Sequence, residues 1–181
     1  MTLTDKLLVT ILSGLLIWII KDLTVYFLQR NRIQAALLTE VAFLIEAVTE
    51  AKRYLEESFQ KTVQTGKEVQ YSAAFTAEER NIYKEYSPVL TSYLAERNLV
   101  RLIKFYRAVQ EFEVLCTGFF SDLTEWKKQK HTLTDDDVRY LDRKKARIVS
   151  IANIITARSV HKISDLPEDY RGELGPGTIV R

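Results

Sequence analysis

The sequence predicts an all-α protein in which an amino-terminal transmembrane helix continues into an antiparallel helical bundle. Three observations predict it. Breakers are scarce, with six glycines and three prolines in 181 residues, which favours long helices over a many-stranded sheet. Apolar residues recur at three- and four-residue spacing through most of the chain. One early stretch, LLVTILSGLLIWII at residues 7–20, carries no charge.

Composition bounds the rest. Hydrophobic residues make up 46% and charged residues 28%, with a net charge of +2. That balance suits a folded chain of one domain and excludes wholesale disorder. It gives no global electrostatic reason to expect nucleic acid. Cys116 is the single cysteine, so neither an internal disulfide nor a cysteine-type zinc cluster is available.

The first helix starts in the uncharged run. Extended through Leu28 it reaches roughly 33 Å, enough to cross a hydrocarbon layer. Trp18, Tyr26 and Phe27 supply interfacial aromatics. Lys21 and Asp22 follow the run where a signal peptide would need small residues, so the segment reads as an uncleaved anchor. Lys21, Arg30 and Arg32 outweigh Lys6, which predicts a cytoplasmic carboxy-terminal side at the cell inner membrane. Thr10, Ser13, Gly14, Ile17, Lys21 and Thr24 share one helical face, the arrangement that favours close helix association. Asp22 lies about 100° away from Lys21, so the two do not pair within one helix.

Leu37, Val41, Leu44, Ile45, Val48, Leu55 and Phe59 extend the helical pattern without a breaker to about Thr65. Residues 66–75 read as a loop. Thr76 with Glu79 forms a capping box, and Ser87-Pro88 marks a break or restart. A long helix is predicted from Asn98 to Lys128, with an apolar face that includes Leu102, Phe112, Cys116 and Phe119. Cys116 there reads as a small core residue. Gly118 either admits a neighbouring helix or weakens this one. Thr134, followed by three aspartates, caps a final helix predicted to end near His161. From Ser164 the prolines and glycines predict a loose or partner-bound tail. The organisation is thus an anchor (1–28), a cytoplasmic bundle (29–163) and an irregular tail (164–181).

Chemistry is sparse. There is no glycine-rich phosphate loop, nucleophile elbow or Glu-x-x-His set, so no cofactor and no metal are expected. His131 falls in a predicted turn. Two basic stripes stand out: Arg97, Arg101, Lys104 and Arg107 on one helix, and Arg139, Arg143 and Arg147 on the next. Such stripes either meet phosphates of nucleic acid or lipid, or pair with acids such as Glu40, Glu46 and Glu113; pairing is the leading expectation. Arg158 and His161, three apart on the predicted helix, form the one candidate catalytic pair, with arginine steadying phosphoryl charge and histidine moving a proton.

That pair resembles the motif of HEPN domains, all-helical folds in which arginine precedes histidine by four to six intervening residues. Here two residues intervene. The layout is also similar to HEPN-like membrane accessory proteins of RNA-targeting CRISPR systems, which form oligomeric pores. The segment YLAERNLVRLIKFYRAVQEFEVL (93–115), with its Phe105-Tyr106 pair, resembles small uncharacterised bacterial proteins with one amino-terminal span and a helical domain. This second resemblance implies class and bacterial origin, and no activity.

The leading expectation is a non-enzymatic, self-associating membrane module acting in assembly or interaction through Thr10, Ser13, Gly14, Lys21 and Thr24. Membrane lipid, further copies of the chain and a protein bound to the bundle are its expected partners. The alternative is an oligomeric pore or defence effector, RNA-responsive through the basic stripes. A HEPN-like ribonuclease using Arg158 and His161 comes third.

Overall fold

The structure is a computed structural model that describes residues 3–65, 81–128, 134–168 and 170, without the side chains of residues 3–11, 61–65, 81 and 127. The described residues form five α-helices: α1 (Leu3–Thr65), α2 (Asn81–Tyr86), α3 (Leu90–Tyr93), α4 (Glu96–Lys128) and α5 (Asp135–Thr156). A short 3₁₀ turn follows at Ile163–Asp165. The fold is an all-α bundle, as the periodicity predicts. The expected capping box at Thr76 and the turn around His131 lie outside the described residues.

α1 is one continuous helix of 63 residues, about 95 Å long at 1.5 Å per residue. Nothing in its sequence breaks it, and among its described side chains the buried ones lie in the carboxy-terminal half. There Ile33, Leu37, Val41, Leu44, Val48 and Leu55 are buried on one face. They meet Leu102, Phe105, Val109, Phe112, Cys116 and Phe119 of α4, and Leu141, Ile148, Ile151 and Ile155 of α5. These three helices are the bundle proper.

Helix directions follow from the contacts. α1 and α4 run parallel with a constant offset of 66 positions: Tyr26 bonds to Ser92 at the entrance to α4, and Glu40 bonds to Tyr106. Tyr54 packs near Phe120 at the far end. α5 runs antiparallel to both, since Lys52 meets Asn153 while Lys145 lies over Phe59. Its own neighbours on α4 are reversed in the same way, Asp122 with Lys144 and Glu111 with Arg147. The parallel pair is possible because the chain returns through α2 and α3 before α4 begins. A turn at Ser87–Val89 separates α2 from α3, at the predicted break.

A buried polar knot holds this return stroke. Glu40 is 4% exposed. Its Oε2 accepts the Tyr106 hydroxyl at 2.6 Å and the Tyr83 backbone N–H at 2.9 Å. The Tyr83 and Tyr106 rings stack with centroids 4.1 Å apart. Glu40 therefore ties α1, α2 and α4 together.

α5 begins as expected. Thr134 and Asp137 bond reciprocally in a capping box, and three aspartates face the positive end of the helix dipole. Its end corrects the expectation. The helix stops at Thr156, five residues before His161, although no glycine or proline intervenes. Two causes act together. The Asp165 carboxylate takes the backbone N–H groups of Lys162 and His161, offering them a local alternative to helix. Ile163, Leu166 and Tyr170 then turn into the core. The tail is a second correction: up to Tyr170 it lies docked against α4 and is not loose.

Candidate functional site

Two regions depart from an ordinary bundle. The first is the amino-terminal part of α1. From Leu12 to Leu28, twelve large apolar side chains are exposed, among them Leu16 at 60%, Ile17 at 67% and Trp18 at 63%. This is the one helix among the described residues long and apolar enough to cross a membrane; its most apolar window has a mean hydropathy of 1.4 and none of it is buried.

The bundle meets this run at a defined level. Tyr26 stacks on Tyr93 with centroids 5.6 Å apart and donates to the Ser92 carbonyl at 2.6 Å. Tyr93 in turn donates to Gln29 at 3.0 Å. Tyr26, Tyr93, Ser92 and Gln29 thus form a collar where the free helix enters the bundle. The stretch from Lys6 to this collar spans about 30 Å, the thickness of a hydrocarbon core.

The predicted association face lies on the free section. Ser13, Gly14, Lys21 and Thr24 are exposed there, while the side chain of Thr10 is outside the described set. A Cβ added at Gly14 would meet nothing within 4 Å. Thr24 donates its hydroxyl proton to the Ile20 carbonyl at 2.7 Å, within its own helix. Neither Lys21 nor Asp22 forms an ion pair among the described residues, and both are exposed.

The second region is where the tail crosses the first turns of α4. Arg97 and Arg101 both bond to Oε1 of Glu168, Arg101 at 2.5 Å. Arg101 also holds the Ser164 carbonyl, and Lys104 donates to the Glu168 carbonyl at 2.5 Å. The hydrogen bonds from Arg101 and Arg97 hold the Glu168 carboxyl below its usual range. A polar hollow of about 560 Å³ lies alongside, lined by Arg101, Arg158, Ser164, Asp165 and Glu168. Spacing of residues did place Arg97, Arg101 and Lys104 together, but their acid comes from the tail. Glu168 lies outside any helix, so helical spacing does not bring it to the stripe. The available signal was Ile163, Leu166 and Tyr170, whose apolar spacing marks a segment able to dock.

The remaining basic residues are separated. Arg107 is exposed and has no ion-pair partner among the described residues. Arg139 pairs with Asp136 one turn back at 3.6 Å. Arg143 donates to the Arg139 carbonyl at 3.4 Å, and Arg147 reaches Glu111 at 3.1 Å. Arg158 and His161 fall after α5, in irregular chain, so they do not share a helix face. The Arg158 side chain borders the hollow; His161 contributes its backbone N–H to Asp165. Cys116 is buried, and burial pushes its thiol up to about 12, which fits a core residue. No cluster of three or more metal-ligating side chains occurs among the described residues.

The chain matches no protein-family model, no curated protein and no solved structure in the three comparisons made.

Proposed function

We propose that this chain is a single-pass protein of the cell inner membrane that self-associates through its span and presents a cytoplasmic helical bundle as an assembly or interaction module. The exposed apolar run on α1 carries this reading. Burying a large apolar side chain contributes about 1.5–3 kcal/mol, and twelve of them stand roughly half exposed. Covering them is worth on the order of 10–20 kcal/mol, as much as the stability of a whole domain. A bilayer covers all sides of a lone helix, and the collar at Tyr26 and Tyr93 suits the interface, where tyrosine is favoured. Arg30 and Arg32 beyond the collar support a cytoplasmic bundle.

Within the span, Ser13, Gly14, Lys21 and Thr24 keep to one face, and small residues let helices approach. The test is the size of the detergent-solubilised protein with Gly14→Leu and Ser13→Leu. Among the described residues nothing lies within 4 Å of a Cβ added at position 14, so leucine there disturbs none of their packing. Both variants are expected to give smaller assemblies. Unchanged size in both removes the association face.

One observation favours a second reading, an oligomeric pore. Helical side chains lean toward the amino terminus, so the Lys21 stem starts toward the bilayer centre and away from the cytoplasmic headgroups. That direction suits a wet axis between copies better than snorkelling. Reconstituted channels with altered ion selectivity in Lys21→Glu support it; electrically silent bilayers remove it.

A further inference from the structure

The cations that hold the tail outnumber the acid they hold. Arg97, Arg101 and Lys104 converge on Glu168, and Arg158 borders the adjoining hollow without an ion-pair partner among the described residues. Among the described residues, the other acid lining that hollow is Asp165, which already accepts two backbone N–H groups. Among the described residues, four cations therefore gather around two carboxylates, one of them committed elsewhere.

The hydrogen-bond inventory is equally lopsided. The Arg101 side chain is 14% exposed, and its buried Nε–H has no acceptor. Tyr170, 9% exposed, has a buried hydroxyl with no partner, close enough to feel the Arg101 charge. Buried donors left unpaired cost free energy, and a native fold rarely carries two in one place without a ligand to take them. A carboxylate offers two oxygens. A phosphate group offers three or four, carries up to two charges and suits the planar fork of arginine.

We infer that Arg97, Arg101, Lys104 and Arg158 form a binding site for a phosphate-bearing anion, and that Glu168 occupies it as an intramolecular stand-in. Binding of phosphate exchanges with Glu168. It takes the guanidinium groups of Arg97 and Arg101 and releases the segment around Ser164–Glu168 from α4. The ion-pair part of the exchange costs little, because the Glu168 side chain is more than half exposed and its ion pairs are screened, while burial of Leu166 favours the docked tail. Docked and released tails are thus alternative states whose balance the ligand sets.

Location indicates the nearest source of phosphate. Arg97 lies in the first turn of α4, four residues of chain beyond Tyr93 of the collar. The headgroup layer on each face of a bilayer is roughly 5–7 Å thick. An arginine side chain covers the remaining distance, so an anionic phospholipid headgroup is within reach. This last step rests on the membrane reading; the phosphate site itself does not.

Calorimetric titration of the detergent-solubilised full-length chain with inorganic phosphate tests the site. If Glu168 occupies it nine-tenths of the time, Glu168→Gln tightens phosphate binding about tenfold, because a competitor reduces apparent affinity by the competent fraction. Arg101→Gln loses binding, and should that variant not fold, Arg97→Gln, at an exposed position, weakens it on a folded background. Equal binding in wild type, Glu168→Gln and Arg97→Gln means an adventitious ion only and overturns the proposal, as does no binding in Glu168→Gln. The source is read separately, from amide exchange of residues 163–170 in nanodiscs of phosphatidylcholine with or without phosphatidic acid. Faster exchange only with phosphatidic acid supports the headgroup. Unchanged exchange there, alongside tight inorganic phosphate in Glu168→Gln, overturns the lipid source and leaves the site to a soluble phosphate.

Discussion

Leu16 separates a membrane helix from a merely exposed one. It sits near the middle of the free section of α1, off the face shared by Ser13, Gly14 and Lys21, and is 60% exposed. In water, replacing so exposed a leucine with arginine changes stability by no more than about 0.5 kcal/mol. In a bilayer the same change moves a residue worth about −0.5 kcal/mol to one costing about +3 at the helix centre. The difference, about 3–4 kcal/mol, lowers the insertion equilibrium by two to three orders of magnitude. The assay is the share of protein retained in membrane pellets after alkaline washing, for wild type and Leu16→Arg. Wild type is expected to stay in the pellet and the variant to lose most of its retention. If Leu16→Arg is retained like wild type, or if high salt alone extracts wild type, α1 does not cross the bilayer.

Other outcomes follow from single contacts. Tyr106→Phe removes the hydroxyl that Glu40 accepts at 2.6 Å, a hydrogen bond to a charged group worth about 1.5–3 kcal/mol. Denaturant unfolding should show that loss, and a change under about 0.5 kcal/mol would mean the knot does not hold α2 and α4 to α1. Gly118 has nothing within 4 Å of an added Cβ and needs no unusual backbone, so Gly118→Ala should stabilise by about 0.5–1 kcal/mol in thermal unfolding; destabilisation would mean that another helix does approach there. Arg101 and Arg97 lower the Glu168 pKa, so its contribution to tail docking is present above the ordinary value of 4.5 and is lost as pH falls through the lowered one. Amide exchange of residues 163–170 should therefore lose protection in acid before α4 does, whereas simultaneous loss would exclude Glu168 as the latch.

What the sequence made legible was local. The unbroken α1 to Thr65, the end of α4 at Lys128 and the Thr134 cap all depend on periodicity and on residues within one turn. The parallel course of α1 and α4 was hidden because it depends on how the chain returns through α2 and α3. No local pattern encodes an offset of 66 positions. The early stop of α5 was hidden for a related reason. Residues 157–162 hold no glycine or proline, and the stop is decided by burial of Ile163 and Leu166 farther on. Of the candidate sites, Arg97, Arg101 and Lys104 were found through helical spacing. Their partner was not, because Glu168 lies 64 or more positions away in a segment rich in turn formers. Arg158 and His161 share a face only on a helix, and tertiary packing removes that helix.

Self-association through a single span is the central claim, and stoichiometry tests it most directly. The measurement is the mass of the full-length protein in detergent, by light scattering corrected for bound detergent, over a range of concentrations. A defined oligomer that persists on dilution and shrinks in Gly14→Leu is the predicted result. A monomer at every concentration, indistinguishable from Gly14→Leu, would contradict it.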